Sequence, residues 1–549
     1  MSDRARTAHT VADVVVERIA EYSDHIFGVG GANIEDVYDA VQRSRVSMTG
    51  IVAKHEFGAA TMADGYARAT NRLGVVAATS GGGALNLLAA LGESFDSRVP
   101  VLALVGQPPT GVEGKGAFQD TSGAAGRLDA EAIFRSVSRY CAKVVRAEDI
   151  HAELDRAIEA ALSGGPAVLL LPKDIQAATV SGTVNELRAA VVDGRDSLAE
   201  VAELLAAPGP AVIIAGPEIA RADARTELAA LAASLDASVL VTPDAKDALS
   251  NRHPRFAGVV GIMGHPRAPE LVAQAALVVL AGAALPMTAR AGLDDALAGC
   301  PRVVHLGTDE PFVPVHARVR GRLNDQLLEL AVKTSRPGFG VAQADPLGEL
   351  KTPAATGPGV RYREAVLAIA ERLEPGTDVV ADAGNTGAAV VHHLPVPEGG
   401  RFLIALGMGG MGYSFGAGIG SALGRDRRTV VIAGDGSYFM HGHELHTAIE
   451  YQAPVTFIVF NNNAHAMCVT REQLYYSGDY TFNRFRPAEI GAGVAAMFPE
   501  LPAWTATTLG DFEVALDKAL AVRGPAFIEL RCDPDEIPPF APFLKEPAL

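Results

Sequence analysis

Two polar residues, Asp435 and Asn462, each directly follow an apolar run typical of a buried strand, at 429–432 and 454–460. The chain between them has room for a helix, so a strand–helix–strand crossover would return both side chains to one edge of a sheet. A carboxylate and an amide oxygen at such an edge suit a hard divalent cation, and the N–H groups of the neighbouring glycines suit a phosphate. An ordinary glycine-rich turn followed by a polar loop is the alternative interpretation.

Glu56 is a second candidate, in the segment KHEFGAATMADGYAR at 54–68. A glutamate near a helix start is usually a solvated partner of the helix dipole. Here small and apolar residues flank it, which predicts a confined, partly desolvated carboxylate that can hold and exchange a proton. A third motif, TSGGGALNLLAALGES at 79–94, places three glycines between a predicted strand and a helix, where a ligand or a neighbouring backbone could approach closely.

Composition limits the class of protein. A chain of 549 residues suggests about three domains. The 64 acidic and 47 basic residues give a formal charge of −17, which argues against a nucleic-acid or anionic-membrane partner. We find no pattern of a signal peptide or membrane span and expect a cytoplasmic protein. The four cysteines are scattered, which indicates reduced packing residues rather than a zinc site.

Short Val/Ile/Leu runs alternate with Ala-rich helical stretches along the chain. Runs that are apolar on both faces predict parallel sheets covered by helices, and therefore an α/β fold. The predicted strands are 75–79, 99–106, 167–171, 211–215, 238–242, 277–282, 303–306, 379–382, 430–433, 455–460 and 526–530.

Polar or Pro/Gly-containing stretches at 177–196 and 334–358 divide these strands into three groups. We therefore predict three doubly wound parallel-sheet domains, at 1–180, 195–335 and 357–549. The phrases GGPAVLLLPKD at 164–174 and RGPAFIELRCD at 523–533 suggest that the two outer domains are related to each other.

These motifs resemble the thiamine diphosphate (ThDP) enzymes of the acetohydroxyacid synthase, pyruvate oxidase and 2-oxo acid decarboxylase superfamily, with acetolactate synthase-like proteins as the nearest pattern. The resemblance extends along nearly the whole chain. It implies that Mg²⁺ is held by Asp435, by the side chain of Asn462 and by the backbone carbonyl of Ala464. It also implies that the diphosphate is bound by the glycine-rich turn, at Gly434, Gly436 and Ser437.

The resemblance assigns further roles near the reacting end of the cofactor. Glu56 would hydrogen-bond the aminopyrimidine ring and so activate the thiazolium carbon. In LGMGGMGYSFGAGIGSALG at 406–424, Met411 would support the bent cofactor and the carbonyl of Gly409 would accept from its 4′-amino group. A methionine in such a run is otherwise core filler. In GQPPTGVEGKGAFQDTS at 106–122, Gln119 would lie beside the reacting carbonyl and Phe118 would form an apolar wall.

The chain departs from the family in its middle domain. In LVVLAGAALPMT at 277–288, residues 284–288 replace the Arg-Phe-Asp-Asp-Arg of acetohydroxyacid synthases, so we expect no bound FAD, and the usual 2-oxo acid acceptor is in question. Arg290 could replace the lost second arginine or lie at the surface. Arg471 could bind a carboxylate or phosphate or point to solvent. His265 and His465 are candidates for proton transfer or for ordinary local hydrogen bonding.

The resemblance implies decarboxylation of a small 2-oxo acid, with pyruvate as the first candidate, and carboligation of the remaining fragment to a second carbonyl. The paired histidines of pyruvate decarboxylases are absent near Gln119, since His392 and His393 fall in the third domain. A non-ligating decarboxylase and a catalytically silent ThDP-binding homologue are the alternatives. Because Glu56 and Asp435 lie in different outer domains, the family pattern also implies a homodimer or homotetramer with sites between subunits.

Overall fold

The computed structural model describes residues 9–180, 198–334, 347–478 and 482–544. These residues form three six-stranded parallel sheets with helices between their strands, so the predicted α/β fold is confirmed. The predicted interdomain stretches include 181–196 and 335–346, which lie outside the described residues. Within the described ranges, no helix combines the length and apolar character needed to cross a membrane.

The first sheet has the strand order β2-β1-β3-β4-β6-β5. Strands β3, β4 and β6 are buried along their whole length, as their Val, Leu and Ala side chains require. The strands are β1 (His25–Gly28), β2 (Thr49–Val52), β3 (Gly74–Ala78), β4 (Val101–Gln107), β5 (Tyr140–Lys143) and β6 (Pro166–Pro172). The helices are α1 (Val11–Ile19), α2 (Glu35–Arg43), α3 (Glu56–Thr70), α4 (Gly82–Asn86), α5 (Leu88–Asp96), α6 (Ala130–Arg135), α7 (Ile150–Leu162) and α8 (Lys173–Gln176).

The second sheet has the strand order β12-β11-β10-β7-β8-β9. Strands β7 to β9 are added toward one edge and β10 to β12 toward the other, so the strand order reverses between β7 and β10. Its strands are β7 (Ala211–Ala215), β8 (Ser238–Val241), β9 (Phe256–Val259), β10 (Leu277–Ala281), β11 (Val303–Leu306) and β12 (Ala317–Val319). Its helices are α9 (Leu198–Ala206), α10 (Glu218–Arg221), α11 (Arg225–Ser234), α12 (Arg267–Gln274), α13 (Met287–Arg290), α14 (Asp294–Gly299) and α15 (Leu323–Lys333).

The third sheet has the order β14-β13-β15-β16-β18-β17, which repeats the order of the first sheet strand for strand. The two similar sequence segments form β6 and β18, each the sixth strand of its sheet in chain order and the fifth in position. The predicted relation between the outer domains is therefore confirmed. The strands are β13 (Asp378–Ala381), β14 (Phe402–Ile404), β15 (Thr429–Gly434), β16 (Val455–Asn461), β17 (Ala503–Ala506) and β18 (Ala526–Arg531). The helices are α16 (Tyr362–Arg372), α17 (Asn385–His393), α18 (Tyr413–Arg425), α19 (Asp435–His441), α20 (Leu445–Glu450), α21 (Ala466–Tyr475), α22 (Ile490–Met497), α23 (Leu509–Ala521) and α24 (Ala541–Leu544).

Contacts divide the chain into two compact units. The first unit contains the first sheet together with residues 405–429 and 437–455, and the second contains the second and third sheets.

Within the first unit, helices α3 and α18 touch at the level of their backbones. A Cβ added at Gly65 would lie 2.2 Å from the carbonyl oxygen of Ala417, and one added at Gly420 would lie 1.9 Å from that of Met62. Glycine at these positions is therefore required by the close approach of the two helices. The packing explains the small residues of both motifs, and it places the helix that begins with Glu56 against the helix that follows the 407–412 loop.

Candidate functional site

Asp435 and Asn462 stand at the ends of two neighbouring strands of the third sheet, β15 and β16. The backbone N–H of Ala464 donates to both side chains, at 3.2 Å to Oδ2 of Asp435 and 3.0 Å to Oδ1 of Asn462. The two side chains are thus brought together, as their positions after consecutive parallel strands predict.

The carboxyl group of Asp435 is almost fully enclosed, with 1% of the residue exposed. Burial raises its pKa to about 7, against the opposing effect of hydrogen bonds from the N–H groups of Gly436 and Ala464. The Gly436 bond measures 2.9 Å. A cation beside this group would favour the ionised form and reverse the effect of burial. The residue is therefore suited to bind a metal ion.

A tyrosine fixes the orientation of the Asn462 side chain. Its Nδ2 donates to the hydroxyl of Tyr362 over 2.9 Å, which turns Oδ1 toward Ala464 and the Asp435 side. Tyr362 opens α16 and is buried, and burial raises the pKa of its hydroxyl well above the ordinary value. Sequence reasoning missed this residue, because nothing near it in the chain marks it as part of the site.

The first turn of α19 has no room for a side chain at Gly436. A Cβ there would lie 2.5 Å from Cδ2 and 2.8 Å from Nε2 of His465, so the imidazole lies directly against the glycine backbone. The ring of His465 also meets Phe485 edge to face, and its Nδ1 lies 3.4 Å from Oδ1 of Asn483. Ser437, the next residue of α19, is buried.

A further part of this edge is the start of α17, which sequence analysis did not identify. A Cβ added at Gly434 would lie 3.7 Å from Oγ1 of Thr386, so Thr386 stands beside the strand that leads to Asp435. Its neighbour Asn385 is 5% exposed, and its Oδ1 is buried without a hydrogen-bond partner in the described part of the chain. Its Nδ2 donates to the carbonyl of Glu536 over 3.4 Å, so Oδ1 is the atom that can accept a hydrogen bond from a ligand. The sequence feature that marks this position is Gly384, which lies between β13 and α17. In the structure its φ is +95°.

In the first unit, Glu56 begins α3 and is half-buried. Nδ2 of Asn86 donates to its Oε2 over 2.9 Å, a contact that sequence analysis did not predict. A Cβ added at Gly83 would lie 2.8 Å from Oε1 of Glu56, so the glycine-rich turn at 79–83 makes room for the carboxylate. One carboxylate oxygen is thus oriented by Asn86, and the other lies against the glycine turn.

Gln119 reaches the same glycine-rich turn. Oγ1 of Thr79 donates to Oε1 of Gln119 over 3.5 Å, and a Cβ at Gly81 would lie 2.9 Å from Cβ of Gln119. Gly81 has φ of +70°, which only glycine adopts readily. The preceding Phe118 is 77% exposed, so its ring is free to contact a ligand or a second chain. The structure therefore gathers Glu56, Asn86 and Gln119 around one turn.

The remaining predicted residues have varied surroundings. Gly409, with φ of +65°, is exposed, and Met411 is half-buried. Arg471 is exposed, and its Nη2 lies 3.6 Å from the sulfur of Cys468.

Two candidates for the substrate pocket have structural partners. The guanidinium of Arg290 donates to the carbonyl of Phe312 over 2.8 Å and lies 3.2 Å from Asp294. Nδ1 of His265 accepts from the N–H of Val259 at 3.0 Å, and its ring stacks on His392 with centroids 4.9 Å apart. Burial lowers the pKa of His265 to about 3, so the ring is neutral. Substrate roles for these residues stay predictions.

The amino-acid sequence matches the models of a known family of enzymes. Three models of thiamine pyrophosphate enzymes match the chain: the N-terminal TPP-binding domain at residues 9–126, the central domain at 198–324 and the C-terminal TPP-binding domain at 382–530. The chain belongs to the thiamine pyrophosphate-dependent enzyme family.

Individual relatives agree with this assignment. The chain is 26% identical to a probable acetolactate synthase large subunit of Methanocaldococcus jannaschii, over 97% of this chain and 93% of that protein. It is 27% identical to the acetolactate synthase isozyme 1 large subunit of Escherichia coli, over 97% and 95%. Its fold is similar to the ThDP-dependent 4-hydroxybenzoylformate decarboxylase of Rhodococcus jostii, with a TM-score of 0.82 and 22% identity over 96% of this chain and 99% of that one.

Proposed function

We propose that this protein is a ThDP- and Mg²⁺-dependent enzyme that decarboxylates a small 2-oxo acid and joins the remaining fragment to a second carbonyl, as acetolactate synthases do. The observation that carries the proposal is the pairing of a buried carboxyl group of raised pKa, Asp435, with the oriented amide of Asn462. A carboxylate and an amide oxygen on a glycine-rich turn fit a metal that bridges the protein to a diphosphate.

The proposed roles follow from these positions. Asp435, Asn462 and the carbonyl of Ala464 would hold Mg²⁺, and the turn at 434–437 would hold the diphosphate together with the start of α17. When bound, the cofactor supplies the electron sink that decarboxylation requires. Glu56, oriented by Asn86, would hold and exchange a proton at the aminopyrimidine ring. Gln119 would donate or accept a hydrogen bond at the substrate carbonyl.

Pyruvate is the proposed donor, because the acetolactate synthase relatives share nearly the full length of this chain. One feature favours a second candidate, decarboxylation without ligation. Residues 284–288 lack the basic and acidic groups of acetohydroxyacid synthases, and in the structure Leu285 is buried while Met287 is exposed to solvent. This segment therefore offers no charged group of its own to an acceptor carboxylate.

We also propose that the central domain binds no flavin. In doubly wound domains, ligands enter where the strand order reverses, which is the junction of β7 and β10 here. The buried carboxylate of Glu218 at this junction accepts hydrogen bonds of 3.0 Å from the N–H and the hydroxyl of Thr308, and a Cβ at Gly307 would lie 2.4 Å from it. Glu218 is acidic and already accepts from the N–H of Thr308, so it disfavours the binding of a dinucleotide phosphate at this junction. Purified protein is expected to show no flavin absorption near ~450 nm and to need none for turnover.

The proposed assembly is a homodimer or homotetramer. In it, the first domain of one chain supplies Glu56 to a cofactor whose metal is held by Asp435 of another chain. Two-fold symmetry would then generate two equivalent sites in each pair of chains.

The direct test is to incubate the apo-protein with ThDP, Mg²⁺ and a panel of 2-oxo acids, alone and with added carbonyl acceptors. We expect CO₂ release with pyruvate and a ligated product identified by mass spectrometry, with Asp435→Ala as the background control. An aldehyde as the sole product would favour the non-ligating enzyme. Absence of CO₂ release across the panel, with ThDP bound according to calorimetry, would indicate the catalytically silent homologue.

A further inference from the structure

Glu93 on α5 holds the backbone of residues 407–412, here called the pyrimidine loop. Its Oε2 accepts from the N–H of Met408 at 2.6 Å and of Gly409 at 3.3 Å, and its Oε1 accepts from the N–H of Gly407 at 3.3 Å. Three successive backbone donors thus converge on one carboxylate. We propose that Glu93 is a positioning residue that sets the direction of the Gly409 carbonyl for the 4′-amino group of the cofactor.

The loop has little of its own to fix its shape. It contains four glycines, and Gly409 and Gly412 have φ of +65° and +87°. Glycine loses more conformational freedom on ordering than any other residue, so an isolated loop of this composition would sample many conformations. Hydrogen bonds to the N–H groups through Gly409 fix the preceding peptide planes. The direction of the Gly409 carbonyl then depends on only two remaining backbone angles, φ and ψ of Gly409 itself.

Glu93 is itself held rigidly. Only 3% of the residue is exposed, and its Oε1 also accepts from the hydroxyl of Ser97 at 2.8 Å and from the guanidinium of Arg68 at 3.1 Å. Burial alone would raise the pKa of Glu93, but Arg68 and the N–H groups of Met408 and Gly407 outweigh it and lower the pKa below its ordinary value. The side chain is therefore ionised at neutral pH, and hydrogen bonds to a charged acceptor are stronger than neutral ones.

Arg68 connects this carboxylate to a second one. Its Nε donates to Oδ1 of Asp64 over 2.6 Å, and the same oxygen accepts from the hydroxyl of Tyr413 at 2.5 Å. Ser94 donates to the other oxygen of Asp64 at 2.7 Å. Both ends of the pyrimidine loop are thus tied to one buried network: Glu93 binds its start, and Asp64 binds Tyr413, the residue directly after it. No group of this network has a proposed role at the metal or diphosphate.

This inference rests on the proposed function, because it assumes that the Gly409 carbonyl meets the 4′-amino group. The test compares the Kd of ThDP with the Kd of an analogue in which hydrogen replaces that amino group, by calorimetry with Mg²⁺ present. Wild-type protein should prefer ThDP by about tenfold, the net value of one such hydrogen bond. Glu93→Gln should bind ThDP several-fold more weakly, leave the Kd of the analogue nearly unchanged, and so lose most of the preference.

Glu218→Gln is the matched control, because Glu218 is also a buried carboxylate that accepts a backbone N–H, but lies in the central domain. It should keep the wild-type preference. Glu93→Asp, which keeps the charge on a shorter side chain, should fall between wild type and Glu93→Gln, and it serves as the main variant if Glu93→Gln does not fold.

Equal weakening of both ligands in Glu93→Gln and Glu93→Asp would overturn the inference, since it would show general destabilisation. A preference that survives in these variants would also overturn it. If wild-type protein binds neither ligand, the proposed function itself fails, which is a separate result.

Discussion

The first and third sheets have the same strand order, but the acidic groups at their carboxyl edges differ in surroundings. After the second strand of the first sheet comes Glu56, which is half-buried, opens a long helix and has one amide partner. After the third strand of the third sheet comes Asp435, which is enclosed and bonded by two backbone N–H groups, and whose pKa burial raises to about 7. Related topology has produced two different acidic sites.

The difference follows from where each side chain sits relative to backbone donors. Asp435 begins α19, where the N–H groups of Gly436 and Ala464 converge on its carboxylate, and its proposed role is to bind the cation. Glu56 lies beside a turn that glycine keeps open, and its proposed role is to exchange a proton. Substitution of Glu56 is therefore expected to lower turnover, whereas substitution of Asp435 is expected to lower cofactor affinity.

The largest effect is expected from Glu56→Gln. The glutamine side chain has the shape of glutamate and can still contact Asn86, but it cannot exchange a proton. Turnover should therefore fall by about 10²- to 10⁴-fold while ThDP affinity stays near wild type. Glu35→Gln, at an exposed glutamate in the first turn of α2, is the matched control and should keep full activity. Steady-state kinetics and calorimetry measure the two quantities, and near-normal turnover in Glu56→Gln would remove its proposed role.

At the third-sheet edge, Asp435→Ala and Asn462→Ala should weaken ThDP and Mg²⁺ binding together. Each would remove one proposed oxygen ligand of Mg²⁺, and a loss of about 10- to 100-fold in affinity is expected. Glu529→Gln is the control, because Glu529 is a buried carboxylate of the same sheet that binds Asn461 and Gly491. Unchanged cofactor affinity in both alanine variants would refute the metal assignment.

The raised pKa of Asp435 predicts a pH dependence specific to that edge. In the apo-protein this carboxyl is largely protonated below about pH 7, and a metal must displace the proton, so Mg²⁺–ThDP affinity should fall about tenfold between pH 8 and pH 6. ThDP titrates as well, so the relevant measurement is the difference between wild type and Asp435→Asn, which should lack this component. A wild-type profile equal to that of Asp435→Asn would contradict the prediction.

The raised pKa of Asp435 also predicts how the stability of the folded apo-protein changes with pH. A carboxyl whose pKa is higher in the folded than in the unfolded protein stabilises the fold at low pH, and this contribution is lost as pH rises from about 4 to about 7. Apo Asp435→Asn should therefore melt at a higher temperature than apo wild type at pH 8, and the gap should narrow toward pH 5.

The smallest effect is expected from mixing two inactive variants, Glu56→Gln and Asp435→Ala. If each site takes one carboxylate from each of two chains, random mixing should restore up to about a quarter of the sites. Subunit exchange must first be demonstrated, for example with differently tagged chains. A mixed population without recovered activity, or an active monomer, would rule out the shared site.

Sequence patterns located the interior of each sheet but not its borders. Every predicted strand is present, whereas the sequence analysis missed β1 and all six edge strands: β2, β5, β9, β12, β14 and β17. Edge strands have one partner, are short, and need not be apolar on both faces, so the continuous apolar run that marks a central strand is absent. β1 is internal but has only four residues and begins with a histidine.

The candidate site residues likewise divide into those that the sequence predicts and those that only the structure places there. Asp435, Asn462 and Glu56 could be proposed as site residues from the chain, because each follows or opens an element in a characteristic local sequence motif. Tyr362, Asn86 and Glu93 could not, because each acts on a residue or loop that is distant in sequence or unremarkable in its own segment. Short-range patterns determine which strand or helix an acidic group belongs to. Only the packed structure decides which distant donors orient that group and how far burial raises its pKa, because both depend on neighbours that the fold brings together.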